Sequence, residues 1–140
     1  MISVLDLRSA PGAIDRLVKW LTDRGFTVME ERASDPNNQY AVFMGGDRTV
    51  KVTVTRGEWS LGIGISGRTF HPEQWEAWLD GYPLAGDLAN IEQQVEFITQ
   101  RWDTAVERLR ENPGAEEEIA AIGDDWVERR FGFRPPKPAG

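Results

Sequence analysis

The apolar positions of this chain change period twice. From Ala13 to Arg24, Ile14, Leu17, Val18 and Leu21 recur at spacings of three and four, with Pro11 near the start and Gly25 at the end, which predicts an amphipathic helix. The period then becomes two. Phe26 to Glu31 and Gln39 to Met44 read as strands, separated by the turn-forming cluster Ser34 to Asn38 and closed by Gly45, Gly46 and Asp47. Val50, Val52 and Val54 alternate with Lys51, Thr53 and Thr55, the pattern of a strand with one buried face. Arg56 and Gly57 turn the chain into Trp59, Leu61, Ile63 and Ile65, which again share a face. These segments predict an antiparallel meander of about four strands.

After the meander the period returns to that of a helix. His71 and Pro72 suit the cap and first turn of a short helix with Trp75, Trp78 and Leu79 on one side and Glu73, Glu76 and Asp80 on another, stopped by Gly81, Tyr82 and Pro83. From Leu88 to Leu109 the stripe Leu88, Ile91, Val95, Ile98, Trp102, Ala105 or Val106, and Leu109 predicts a long helix. Asn112 and Pro113 interrupt it. Glu116, Glu117 and Glu118 then occupy a new first turn, where carboxylates complement the helix dipole, and Ile119, Ile122 and Trp126 form the stripe of a last helix. The expected fold is therefore α+β: an N-terminal helix, the meander, then three C-terminal helices packed on the sheet. Residues 1–133 form one domain, and the proline-rich 134–140 reads as a flexible tail.

Composition narrows the chemistry. With 140 residues the chain can bury a core without disulfides or metal, and it has no cysteine to supply either a disulfide or a thiolate site. A net charge of −7 disfavours sequence-independent binding to nucleic acid or anionic lipid and suits a basic protein partner. Asp6 and Arg8 interrupt the region where a signal peptide would be apolar, and no segment approaches the ~18 apolar residues of a membrane span. The expected location is the cytoplasm.

Three patterns bear on catalysis. Gly62, Gly64 and Gly67 spell G-x-G-x-x-G, but Ile63 and Ile65 continue the strand alternation and the next helix waits until His71, so no helix N-terminus meets a pyrophosphate. Glycines on one strand face instead leave room for a helix to pack closely. His71 is the chain's one histidine; a general base is one reading, and a helix cap before proline is the simpler one. Glu73, Glu76 and Asp80 could pair as acids or hard-metal ligands, but a solvated face opposite the tryptophans accounts for them. Neither a metal-ligand spacing nor a serine elbow is present, Ser66 in GISGR included, so no catalytic residue, metal or cofactor is assigned.

Candidate contact residues come from the surface. Trp20 fits its helix stripe less cleanly than the other tryptophans fit theirs. Trp75 and Trp78 sit on a helix too short to hide both indoles unless it lies flat on the sheet, so one of them is an anchor candidate. Phe97 falls off the stripe of the long helix and is a second apolar candidate. Glu116, Glu117, Glu118, Asp124 and Asp125 could face a basic partner, with a solvated helix face as the alternative.

The V-x-V-x-V and R-G-E-W residues from Val50 to Trp59, with the W-E-x-W-L segment from Trp75 to Leu79 in a small acidic chain, resemble single-domain immunity proteins of secreted bacterial toxins. That resemblance implies a non-enzymatic domain that neutralises a toxin by occluding its active site, acidic side chains meeting a basic cleft. It carries over no contact residue. The order of elements is also similar to secretion chaperones, small acidic dimers that hold a partner segment, and a small-ligand or carboxylate-based enzyme domain is the alternative of a different class.

Overall fold

In the computed structural model, the described residues are 11–35, 38–65, 67–81 and 90–131. The chain runs α1 (Gly12–Asp23), β1 (Thr27–Asp35), β2 (Asn38–Gly45), β3 (Arg48–Thr55), β4 (Glu58–Ile65), β5 (Arg68–Phe70), α2 (Pro72–Asp80), α3 (Ile91–Glu111) and α4 (Ala115–Phe131). The expected tail 134–140, Tyr82, Pro83, Leu88 and Ser66 lie outside the described residues.

The five strands form one antiparallel sheet in sequence order, as a meander linked by hairpins must. Register follows the alternation read from the sequence. Val50 sits between Phe43 and Ile63, and Val52 between Ala41 and Leu61, so these six residues occupy one face and are all buried. The tight turn at Arg56 and Gly57 has φ of 53° and 81°, the left-handed backbone that a two-residue hairpin needs at both central positions. β5 is an addition to the expected meander. Three residues are too few for a period of two to show, and the strand exists because the hairpin at Gly67 folds it back against Ile63, Gly64 and Ile65.

The helices pack on the face carrying Val50 and Val52. Ile14, Leu17 and Leu21 of α1, Trp75 of α2, Val95, Ile98, Trp102 and Val106 of α3, and Ile119 of α4 join the inner strand residues in one core cluster. Each fully buried aliphatic side chain contributes roughly 1.5–3 kcal/mol, so the sheet and helices stabilise each other through this shared layer. α3 is central: it touches β4 beneath, α1 on one flank and α2 on the other. Asn90 caps it by accepting from the Gln93 backbone N–H at 2.9 Å, while the Gln93 side chain accepts from the Asn90 N–H.

That second flank corrects one expectation. Phe97 is 4% exposed. It lies off the main stripe because α2 covers α3 from the side, and the Arg101 guanidinium, held by Asp80 and Glu76 of α2, lies 5.8 Å from its ring centroid. The sequence pattern registers the face toward the sheet; a helix covered on two sides needs a wider buried arc.

Candidate functional site

A pocket of about 280 Å³ lies where β5 stops and α2 begins. Cross-strand register builds its floor. Thr53 is paired with Ser60 and Lys51 with Gly62, on the sheet face opposite the buried valines, and Thr69 stands beside Gly64. Glycine at 62 is what opens the notch: a Cβ there would sit 3.1–3.2 Å from the Thr69 side chain. At Gly64 a Cβ would overlap the carbonyl oxygen of Arg68. The two glycines therefore admit β5, and the expectation that they seat a helix is corrected; Gly67, the third of the motif, is in the hairpin with φ 89°. The dinucleotide-binding reading stays rejected, because both glycines are strand residues, Gly62 paired with Lys51 and Gly64 with Thr49 and Thr69, and neither opens a helix.

His71 is at the N-cap of α2, as its place before Pro72 suggests, but its ring is not the capping group. The Gln74 side chain accepts from the His71 backbone N–H at 3.0 Å and donates to the Ile119 carbonyl at 3.3 Å. The ring instead places Nδ1 3.0 Å from the Leu61 carbonyl. A carbonyl only accepts, so Nδ1 carries a proton, and in the neutral form of the ring Nε2 is left as an acceptor. The imidazole thus extends the β4 edge ladder one position beyond the end of β5. Lys51 stretches over the Tyr40 ring, 4.5 Å from its centroid, and makes no salt bridge among the described residues.

The residues singled out on α2 divide. Trp75 is 1% exposed and donates its indole N–H to the Ile63 carbonyl at 2.9 Å, so it is a core residue without surface for a partner. Trp78 is half-buried, packed edge-on against Trp75, and donates to Glu118 at 2.9 Å. The supposed solvated acidic face also divides. Asp80 and Glu76 hold Arg101, and the hydrogen bonds from Arg101 lower the Asp80 pKa. Glu73 is instead buried at 8% exposure, its Oε2 lacks a hydrogen-bond partner among the described residues, and burial raises its pKa against the opposing influence of His71 in its charged form.

The acidic candidates on α4 are partly engaged. Arg68 of β5 reaches Glu117 at 2.6 Å and Glu116 at 4.0 Å, which ties the short strand to the helix. Asp124 is half-buried and Asp125 exposed. Ile122 and Trp126, expected in the buried stripe, are half-buried, whereas Ile119 is fully buried. Trp20 is half-buried under Arg24, whose guanidinium lies 4.3 Å from its ring. The exposed large apolar side chain among the described residues is Met29, at an irregularity of the β1–β2 ladder that no residue pattern signals.

A feature missed at the level of sequence is how the arginines are spent. All three arginines of α3 turn to the body of the fold: Arg101 to Asp80 and Glu76, Arg108 to the Leu79 carbonyl, and Arg110 to Asp47. Arg24 and Arg48 converge on Asp103. Burial pushes the Asp103 carboxyl up, but the hydrogen bonds from Arg48 and Arg24 outweigh it and lower its pKa. Arg108 and Arg110 are exposed while making these contacts, and α3 also presents Glu96, Gln100, Thr104, Glu107 and Glu111 outward, exposed at helical spacings of three and four. None of those three glutamates has an ion pair among the described residues.

Among the described residues no group of three or more His, Cys, Asp or Glu is arranged to hold a metal ion, and no helix is long and apolar enough to cross a membrane. No known family, curated protein or solved structure compared with the chain matches it significantly.

Proposed function

We propose that this chain is a non-enzymatic protein-binding domain that occupies a basic surface of its partner, in the manner of an immunity protein blocking the active site of a toxin. The observation that carries the reading is the acidic outer face of α3. Its helix holds three arginines, yet all are drawn onto the fold's own acceptors, and Glu96, Glu107 and Glu111 face solvent without an ion pair among the described residues. Because a helix is a rigid mount, these carboxylates keep a fixed spacing across about four turns, so they can match a basic cleft without first ordering a loop. Such charges raise the association rate and favour basic partners over others. The acids at the start of α4 are engaged within the fold, Glu116 and Glu117 by Arg68 and Glu118 by Trp78, so the reading rests on α3.

The test is capture of partners from native lysate at low ionic strength by the wild-type chain and by a Glu96→Lys/Glu107→Lys/Glu111→Lys variant. A protein retained by the first and released by the second supports the reading, as does protection of cells expressing that protein by co-expression of the wild-type chain. Equal retention by both forms, or an association rate insensitive to added salt, refutes it.

A further inference from the structure

The pocket beside β5 has a chemistry that partner binding through α3 leaves unused, and we propose that it binds a compact oxyanion that also carries a hydroxyl donor, such as hydrogenphosphate or an α-hydroxycarboxylate. Lys51 supplies the positive charge. It is mounted on the central strand next to side-chain-free Gly62, and its ammonium is held over Tyr40 without a carboxylate partner among the described residues. A lysine neutralised by an acid would have no such role; here Arg16, Arg24, Arg48, Arg68, Arg101 and Arg110 take carboxylates while Lys51 does not.

Thr53, Ser60 and Thr69 line the same pocket, and a hydroxyl is a group that can donate to an oxyanion. His71 sets the second requirement. Its Nδ1–H is committed to Leu61, so a neutral ring offers only the Nε2 lone pair to the pocket, which repels a bare anion and attracts a donor on it. A volume of about 280 Å³ is just below the usual range of ligand pockets and suits a small acid. Three separate features thus converge: an uncompensated cation, a row of hydroxyls, and a histidine whose tautomer is fixed by the backbone.

The experiment is a two-dimensional amide NMR titration of the whole chain with four probes at matched ionic strength: phosphate, sulfate, lactate and acetate. Each pair differs in whether the oxyanion carries a hydroxyl. The expected result is saturable shifts at Gly62, Thr69 and His71, with phosphate and lactate binding at least fivefold tighter than sulfate and acetate. Lys51→Met should weaken phosphate at least tenfold, Lys51→Arg should retain most of it, and His71→Asn should abolish the preference for the hydroxylated member of each pair. Dispersed amide spectra of each variant confirm that the fold is kept. Unsaturable shifts, or binding unchanged by Lys51→Met, overturn the site. Saturable, Lys51-dependent binding without the preference overturns the role given to His71. Retention of a protein partner is expected to survive both Lys51→Met and His71→Asn, so failure here is distinct from failure of the α3 reading.

Discussion

Replacing Gly64 by alanine probes the joint on which both β5 and the pocket depend. The new Cβ would overlap the Arg68 carbonyl oxygen, a backbone atom that no rotamer change can move aside. β5 must shift away from β4, to which it is held through only three register pairs, Ile63 with Phe70, Gly64 with Thr69 and Ile65 with Arg68. Losing about three backbone hydrogen bonds at about 1 kcal/mol each costs about 3 kcal/mol. Against this, an alanine in a strand interior recovers about 0.5–1 kcal/mol of the conformational entropy that glycine forfeits. The net loss is therefore about 2–2.5 kcal/mol, a large share of the stability of a small domain. In urea, with a slope of about 1.5 kcal/mol/M, the midpoint should fall by about 1.5 M. Gly62→Ala is the matched control, because its Cβ meets the Thr69 side chain at 3.1–3.2 Å and that side chain can rotate. Its midpoint should move by less than about 1 M. A Gly64→Ala midpoint equal to wild type, or an equal loss in both variants, would refute the claim that these glycines exist to seat β5.

Phe97→Ala should cost about 3–5 kcal/mol by chemical denaturation, the usual cost of emptying a buried aromatic site, whereas an exposed contact residue would cost little. Asp103→Asn should cost about 1 kcal/mol, since its carboxylate accepts from two arginines but is itself about half exposed. Because the folded-state pKa of Asp103 is lowered, its contribution is present above the ordinary aspartate range and disappears as pH falls through and below it; stability curves of the wild type and the Asn variant should converge in acid. Glu73 has the opposite sign. Its folded pKa is raised, so its contribution is favourable at low pH and is lost as pH rises above the ordinary glutamate range; Glu73→Gln should flatten that part of the pH–stability curve. An unchanged slope in the variant would show that the buried carboxyl is not its source.

Much of the fold was legible because local pattern and tertiary environment agree. Val50, Val52 and Val54 alternate in sequence since one sheet face is buried, and Leu17 and Leu21 recur since α1 has a single apolar side. Where a residue serves a second contact, the pattern is silent. Phe97 is buried by α2 from the flank of α3, and Glu73 is buried although its neighbours Glu76 and Asp80 are engaged with Arg101 nearer the surface. The candidate sites show the same division. His71 before Pro72 could be placed at a helix start, but the Leu61 carbonyl that fixes its tautomer is ten residues away.

The sequence by itself determined the order and type of every element except β5, the buried face of the central strands, and an acidic charge balance, because each of these depends on residues close together in the chain. Tertiary structure decided which charges remain uncompensated. The arginines of α3 find Asp80, Asp47 and the Leu79 carbonyl only after packing, so the same composition yields an acidic outer face there and, in the pocket, a lysine without a carboxylate partner among the described residues. Ion pairing depends on distances of a few ångströms between segments that the chain separates by tens of residues, and no local period encodes those distances.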